Sequence, residues 1–218
     1  MKRFACVAAV CLVATLGVGA SAQAQTTPAG SDSKMSAEIN FGPTLGHKSD
    51  AFVGGEFDFG LTPGLDLVVE ASHMGNVGTT DLDNRAAIIA NALGGTAATA
   101  FKVNAFAVGV RYRIPVAAKV TPYVLGAVGV ANVKTEVAFT VNGTAIVPGA
   151  NVQLGTDLSG SLNKTIFVLG FGVNVPFKTR YFADLGYRYG QLFAKTDNFE
   201  TDTSIPTQRL ILGVGLRF

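Results

Sequence analysis

The sequence contains no tryptophan, and its only two cysteines, Cys6 and Cys11, lie close to the N-terminus. The rest of the chain therefore uses no disulfides, and it holds no clustered cysteine that would bind a metal. It also lacks any later run of about 18 consecutive apolar residues, which excludes a membrane-spanning helix there. Neither sign of charge is in excess, because without Lys2 and Arg3 the remaining 15 basic residues balance the 15 acidic ones. A nucleic-acid partner is therefore not expected.

The first 24 residues have the layout of a secretory signal. Lys2 and Arg3 precede the apolar run 4–20, and Ala22-Gln23-Ala24 supplies small residues for cleavage. We expect cleavage after Ala24, which removes both cysteines. The alternative is an uncleaved anchor, since the apolar run is near the lower length limit for a spanning helix.

The remainder is rich in glycine, with 26 residues in all, and shows a repeated two-residue period. In the segment 209–218, bulky apolar residues (Leu210, Leu212, Val214) alternate with Arg209, Ile211 and Gly213, which indicates a two-faced β-strand. Eight segments of this kind are found, at 37–46, 51–61, 65–74, 106–114, 122–133, 165–177, 180–193 and 209–218. The fifth of them is apolar on both faces, so its orientation stays open.

Ten-residue alternating segments separated by turn residues are typical of a transmembrane β-barrel. A soluble β-sandwich or lipocalin-like barrel is the competing interpretation. The second face carries glycine and alanine beside its charges, which suits a narrow interior better than a solvated surface. Short connections (62–64, 115–121 and 177–179) also alternate with a second set, of which 46–50 is short and 75–100, 133–164 and 192–206 are longer, as periplasmic turns alternate with extracellular loops.

Aromatic residues near the predicted strand ends are consistent with interfacial girdles. We place Tyr112, Tyr123, Phe177, Tyr181 and Phe218 at the periplasmic end, and Phe41, Tyr189 and Phe193 at the outer end.

The chain resembles the small eight-stranded outer-membrane barrels of the OmpA, OmpX and opacity-protein type, often called porin-like. The residues that carry the resemblance are the terminal LILGVGLRF (210–218) and YRIPVAAKVTPYVLGAVGV (112–130). The resemblance implies that the C-terminal strand, ending at Phe218, is read by the outer-membrane assembly machinery. The expected fold is an all-β, eight-stranded antiparallel up-and-down barrel over 37–218, preceded by a periplasmic tail over 25–36.

Charged residues fall on the face expected to line the interior. They are Glu38, Glu56, Asp58, Asp66, Glu70, Arg111, Arg113, Asp184, Arg188, Arg209 and Arg217. An eight-stranded interior is only just wide enough for side chains, and unpaired charges there are costly, so we expect an ion-pair network. Arg111 should pair with Glu70 or Glu56, Arg113 with Asp66, and Arg217 with Glu38. A hydrated lumen with loosely solvated charges is the alternative.

The longer connections are the other candidate for function. In 75–100, Asp81 or Asp83 is expected to cap a short helix that stops at Gly94, and its apolar Ala-Ile-Ile-Ala stretch suits contact with lipid or a partner. In 133–164, Asn142-Gly143 predicts a hairpin that extends the barrel wall. Surface loops on a rigid scaffold often carry binding.

Catalytic signals are weak. His73 is expected at the lipid side of its strand and Ser72 on the opposite face, which does not set a hydroxyl beside an imidazole. No HExxH motif and no phosphate-binding loop occurs, so neither metal nor cofactor is expected. The sequence thus predicts a non-enzymatic outer-membrane protein in contact with lipid and lipopolysaccharide, with a structural or surface-interaction role. A narrow passive channel is the main alternative, and a lipid A hydrolase is the other.

Overall fold

The computed structural model describes residues 35–116, 119–146, 160–193 and 204–218. The expected signal, residues 1–24, and residues 25–34 of the expected tail lie outside the described residues. The secondary structure elements, in chain order, are β1 (Met35–Leu45), β2 (Ala51–Thr62), β3 (Leu65–Met74), α1 (Thr80–Ala92), β4 (Gly95–Arg113), β5 (Thr121–Val141), β6 (Thr144–Ile146), β7 (Gly160–Pro176), β8 (Tyr181–Phe193) and β9 (Ile205–Arg217). β1 thus begins two residues before the barrel boundary expected from the sequence.

Eight of these strands form a closed antiparallel ring. Each pairs with its neighbours along the chain, β1 pairs with β9 and β4 pairs with β5, while the three-residue β6 pairs with β5. Closure leaves no unpaired sheet edge around the ring. The eight-stranded up-and-down barrel predicted from the sequence is confirmed.

The two-residue period of the strands sorts side chains between the inside and the outside of the ring. On β9, Ile211 is 1% exposed and Val214 is 54% exposed. Large apolar residues lie on the outer face of all eight strands, including Ile39, Val53, Phe171 and Leu185, while polar residues of that face such as His73 and Lys102 lie toward the loop end. An exposed apolar belt around a closed barrel is the surface that a bilayer covers.

The ring has two unlike ends. At the turn end, tight connections join β2 to β3 and β7 to β8, and both Met35 and Phe218 lie there, joined by the hydrogen bond from Phe218 N to Met35 O. At the loop end lie residues 46–50, helix α1 and the turn that follows β5. The turn end is the one expected to face the periplasm.

Three strands rise beyond the others at the loop end. β4 has 19 residues, β5 has 21 and β7 has 17, each longer than the segment read from the sequence. At the top of β5, Asn142 (φ 51°) and Gly143 (φ 77°) form the predicted hairpin turn, in which both central residues need positive φ. The expected extension of the barrel wall is confirmed over the described part of this region.

Helix α1 is confirmed, but neither Asp81 nor Asp83 caps it. The N-cap is Thr79, which makes no side-chain capping bond, and both aspartates lie in the first turn, where a carboxylate favours the helix dipole. Gly94, with φ of 67°, ends the helix as predicted. Leu82, Ala86 and Ala90 are buried, and α1 packs against the upper parts of β4 and β5 at the loop end of the ring. No helix within the described ranges is long and apolar enough to cross a bilayer.

The orientation of β5, left open by the sequence, is fixed by the structure. Tyr123, Leu125 and Ala127 are buried inside the ring, while Val124 and Val128 are exposed outside it. The placement of Tyr123 in an interfacial girdle is therefore wrong. The other seven aromatic residues assigned to girdles lie on the outer face or at the end of the chain.

Candidate functional site

All eleven charged residues assigned to the interior point away from the exposed apolar belt. Arg113 and Arg217, near the turn end, are partly buried, and the other nine are buried. Charged residues and bulky apolar residues alternate along each strand, and successive side chains point to opposite faces. With the apolar residues on the outside of the ring, the charged residues point inward.

Arg111 of β4 lies at the centre of the interior. Its guanidinium forms an ion pair with Glu56 and a second one with Asp58, at 2.8 Å between Nη1 and Oδ2. Arg188 of β8 reaches Glu56 from the other side, at 3.4 Å between Nη2 and Oε2. Of the two partners expected for Arg111, Glu56 is the one observed. Glu70 pairs instead with Arg209, at 2.6 Å between Oε1 and Nη1.

Near the turn end, one of the two expected ion pairs is formed and the other is not. Arg113 contacts Asp66 as predicted, at 2.5 Å between Nη2 and Oδ1. The predicted pair of Arg217 and Glu38 is wrong, because Arg217 stands over the ring of Phe182, 5.0 Å from its centroid. The Glu38 carboxylate is directed instead toward Gly213, and its oxygens accept no hydrogen bond from the described residues.

Tyr123, which the sequence pattern had placed in an interfacial girdle, joins the charged groups. Its hydroxyl donates a hydrogen bond of 2.7 Å to Asp184 Oδ2 and accepts one of 3.1 Å from Arg188 Nη1. Its ring lies 4.4 Å from the guanidinium carbon of Arg111. Asn174 completes the group by donating to Asp184 Oδ1 at 3.1 Å. Arg111, Arg188, their carboxylate partners, Tyr123, Asp184 and Asn174 thus form one connected polar cluster that includes an aromatic ring, and the Arg209–Glu70 and Arg113–Asp66 pairs lie beside it.

Above this cluster the interior holds large buried apolar side chains beside buried threonines such as Thr44 and Thr207, and the sequence pattern did not reveal these apolar side chains. Toward the loop end the inward residues of every strand but β1 include a large apolar side chain that is buried. They are Phe52, Met74, Val103, Val133, Ile166, Leu192 and Ile205. Helix α1 packs on the upper side of this layer through Leu82 and Ala86. A solute passing along the axis would meet an apolar layer and then a charged one.

Asp83 of α1 ties the helix to the rest of the loop end. It accepts hydrogen bonds from Lys48 Nζ at 2.8 Å, from His47 Nε2 at 2.9 Å and from the Thr99 hydroxyl. Burial opposes ionisation of Asp83, but these hydrogen bonds outweigh it and lower the pKa of the carboxyl. An open cleft of about 400 Å³ lies beside this junction, between residues 46–48 and the start of α1.

The residues that a hydrolase would need do not converge. His73 is exposed on the outer face, with Nδ1 at 2.7 Å from Asn104 Oδ1, and Ser72 is buried on the inner face. Among the described residues, no group of three or more histidine, aspartate, glutamate or cysteine side chains is arranged to hold a metal ion.

Comparison with known structures finds other barrels. Neisserial surface protein A is similar with a TM-score of 0.50 and 13% identity, over 84% of this chain and 96% of that one. The attachment invasion locus protein Ail of Yersinia pestis is similar with a TM-score of 0.45 and 17% identity, over 85% and 99% of the two chains. Comparison with curated protein sequences finds no match.

A family model described as the outer membrane protein beta-barrel domain matches residues 10–218, which is nearly the whole sequence. The match agrees with the closed ring of eight strands and with the apolar belt around it. This chain belongs to the outer membrane protein beta-barrel domain family.

Proposed function

We propose that this protein is a non-conducting, non-enzymatic barrel of the bacterial outer membrane that acts through its extracellular end. The observation that carries the proposal is the packed interior, in which paired charges lie below large buried apolar side chains and α1 packs on the inner side of β4 and β5 at the loop end. The loop end, which carries the extended strands and α1, is then the surface through which the protein acts.

An ion crossing the barrel would have to separate buried ion pairs. Arg111, Arg188 and Arg209 are each 1% exposed, and each faces a buried carboxylate. Breaking one such pair by removal of a partner costs about 3–5 kcal/mol, because the other charge stays buried. The ion would then have to enter the apolar layer without its hydration shell, which is a further cost. A resting diffusion pathway is therefore disfavoured.

The loop end offers several features for contact with a partner. β4, β5 and β7 carry the wall upward, α1 is fixed over the mouth by Asp83, and an open cleft lies beside the helix. Ile88 of α1 is 69% exposed, so the helix also presents an apolar side chain to the exterior. Exposed residues held on a rigid scaffold suit recognition.

Conductance of the refolded protein in a planar bilayer is the test of the closed interior. We expect a silent bilayer for the wild type, and rare openings for Arg111→Gln and Glu70→Gln, which each remove one partner of an ion pair. Lys119→Gln, in the connection between β4 and β5, is the matched control. Reproducible wild-type openings whose size changes in the two interior variants would instead establish the narrow channel.

The surface role is tested with variants of the loop end. We expect that replacing 80–92 by a short glycine–serine linker abolishes binding of protein-coated beads to host cells or extracellular matrix, while barrel folding by circular dichroism is retained. Equal binding by the variant would remove α1 from the proposed role.

The enzyme alternative is tested with purified lipid A, which we expect the wild type and His73→Ala to leave equally unmodified.

Export and assembly are part of the same proposal. We expect the mature N-terminus at Gln25, after cleavage of residues 1–24, and recognition of the C-terminal strand by the assembly machinery through Phe218. N-terminal sequencing of protein extracted from outer membranes checks the first expectation. Reduced outer-membrane yield of a variant lacking Phe218, with normal refolding in detergent, checks the second.

A further inference from the structure

Three glutamates form one row across the inner face of β1, β2 and β3. Glu38 is the register partner of Glu56, and Glu56 is the register partner of Glu70. Like charges that lie directly opposite each other in a sheet destabilise the pairing. Each carboxylate in the row therefore needs a compensating positive charge.

Arginines supply that charge to two of the three glutamates, since Glu56 and Glu70 form the ion pairs described above. Glu38 is 4% exposed, and neither of its carboxylate oxygens accepts a hydrogen bond from the described residues. The guanidiniums that act on Glu38 from a distance, those of Arg111 and Arg188, already hold Glu56. A buried carboxylate without a partner is costly, so Glu38 marks a place where a positive charge is wanted.

The charge of the lower interior as a whole shows the same deficit. Of the eleven charged residues below the buried apolar side chains, six are acidic and five are arginines. When all of them are ionised, the set carries one net negative charge. One monovalent cation would neutralise it, whereas a divalent cation would leave a net positive charge in an interior that is only just wide enough for side chains.

The Glu38 carboxylate leans upward, toward the level of the next inward residue of its strand. A Cβ added at Gly213 would contact Glu38 Oε1, so the absent side chain of this glycine leaves the space that the carboxylate occupies. Gly213 is the register partner of Asn40 on one side and of Asp184 on the other. These two residues therefore flank the Glu38 carboxylate along the inner wall.

Both flanking residues bring oxygen atoms to this position. Asn40 is 2% exposed, and its Oδ1, which lies over Gly54, accepts no hydrogen bond from the described residues. The last torsion of an asparagine is broad, so this oxygen can turn toward Glu38. The two oxygens of Asp184 each accept one hydrogen bond, and a carboxylate oxygen can take part in a second interaction. Carboxylate and amide oxygens are the ligands that hard cations prefer.

A small polar cleft at the turn end lies close to Glu38. Its lining includes Ser36 and Asp58 together with Arg113 and Arg217. Ser36 is the next inward residue below Glu38 on β1, and it is the register partner of Asp58. Asp58 Oδ1 accepts no hydrogen bond from the described residues, so a further carboxylate oxygen is available between the cleft and Glu38. A cation entering from this end would meet oxygen ligands on its way.

We propose that Glu38, Asn40 and Asp184 bind one small monovalent cation inside the barrel, for which sodium is the probe. The Glu38 carboxylate neutralises the ion, and the oxygens of Asn40 and Asp184 complete its coordination. The bound ion supplies the counter-charge that the glutamate row lacks, and it stabilises the closed interior. The inference concerns the interior alone, so its failure would leave the expected results of the conductance and surface-binding experiments unchanged.

The experiment measures urea unfolding of the full mature protein refolded in zwitterionic phospholipid vesicles. Sodium chloride replaces N-methylglucamine chloride at constant ionic strength, because the large organic cation does not fit the packed interior. Above the dissociation constant, each tenfold rise in sodium should lower the unfolding equilibrium constant of the wild type about tenfold, since the ion binds only the folded state. Glu38→Gln keeps the shape of the side chain and removes its charge, so its unfolding should not depend on sodium. Glu136→Gln, at an exposed carboxylate of the outer face, is the matched control and should respond as the wild type does.

Two further measurements separate ion binding from a merely structural role of Glu38. Asn40→Leu keeps the branching of the side chain but removes the amide oxygen, so it should shift the sodium dependence to higher concentration. Sodium-23 NMR in neutral detergent should show a resonance that the wild type broadens and Glu38→Gln does not. Circular dichroism checks that every variant is folded.

The outcomes that would overturn the proposal are distinct. Unfolding of the wild type that does not depend on sodium would exclude the site, as would an equal sodium dependence in Glu38→Gln. A wild type that responds to pH instead of sodium, with Glu38→Gln insensitive to both, would show that a proton neutralises Glu38 in place of the cation.

Discussion

The hydroxyl of Tyr123 donates a 2.7 Å hydrogen bond to Asp184 across the interior of the barrel. Tyr123 lies on β5 and Asp184 on β8, so the bond joins strands that are not neighbours in the ring. The aromatic ring of Tyr123 also faces the guanidiniums of Arg111 and Arg188, whose central carbon atoms lie 4.4 and 5.3 Å from the ring centroid. A single aromatic residue therefore connects the acidic and basic parts of the interior.

Tyr123→Phe tests the importance of this hydroxyl. The variant keeps the ring between the two guanidiniums but leaves the buried Asp184 with one donor fewer. We expect a loss of about 1.5–3 kcal/mol in the free energy of unfolding, the range for hydrogen bonds to charged groups. Urea unfolding in phospholipid vesicles, followed by circular dichroism, measures it. Tyr181→Phe, at an exposed outer-face tyrosine, should change stability by less than about 0.5 kcal/mol.

Gly186 is expected to be intolerant of a side chain because of Tyr123. A Cβ at Gly186 would lie 2.8 Å from the Tyr123 hydroxyl oxygen, closer than a normal contact. Gly186→Ala should destabilise the barrel by about 1–3 kcal/mol, and part of that loss should vanish in the Tyr123→Phe background. Gly126→Ala is the control, since a Cβ there meets its nearest neighbour at 3.9 Å. Strict additivity of Gly186→Ala and Tyr123→Phe would contradict the contact.

Arg209 and Glu70 form a buried pair that suits a double-mutant cycle. Arg209→Met leaves a buried carboxylate and Glu70→Gln leaves a buried guanidinium, so each should cost about 3–5 kcal/mol in unfolding free energy. The double variant should cost clearly less than the sum, because neither charge is then left alone. Unfolding in urea is again the measurement. A double variant as unstable as the two single losses added together would show that the pair is not coupled.

The fold could be predicted because the alternation is a local property of each strand. Each of the eight segments lies within a barrel strand or extends beyond it by a single residue, and the inward and outward sets of β1 and β9 are as predicted. The orientation of β5 stayed open because both faces of the segment 122–133 are apolar. Beyond it, Lys134 and Glu136 lie on the outer face, opposite the buried Thr135 and Val137, so the rule that charged residues line the interior would have assigned this strand the wrong way round.

The ion-pair partners inside the barrel could not be predicted as reliably. They depend on the path that each long charged side chain takes across the interior. Arg217 and Glu38 are on adjacent strands, yet Glu38 is the register partner of Gly215 and directs its carboxylate toward Gly213. The apolar upper layer was missed for a related reason. Val103, Val133 and Ile166 belong to inward sets that contain glycine or charge lower down, and only the assembled ring shows that they belong to one buried apolar cluster.

The fixation of α1 by Asp83 is expected to depend on pH. Because the folded protein lowers the pKa of Asp83 below its usual value, this group stabilises the fold above the ordinary aspartate range. The contribution is lost as pH falls through the lowered pKa. Asp83→Asn should therefore speed amide hydrogen exchange in 80–92 at pH 7. In the wild type, the amides of 80–92 should lose a comparable amount of protection only below about pH 4, after the exchange rates are corrected for the intrinsic effect of pH. Asp81→Asn, for which no contact to Lys48 is formed, is the control. Equal exchange in Asp83→Asn and wild type at pH 7 would show that the apolar contacts of Leu82, Ala86 and Ala90 hold the helix without the carboxylate.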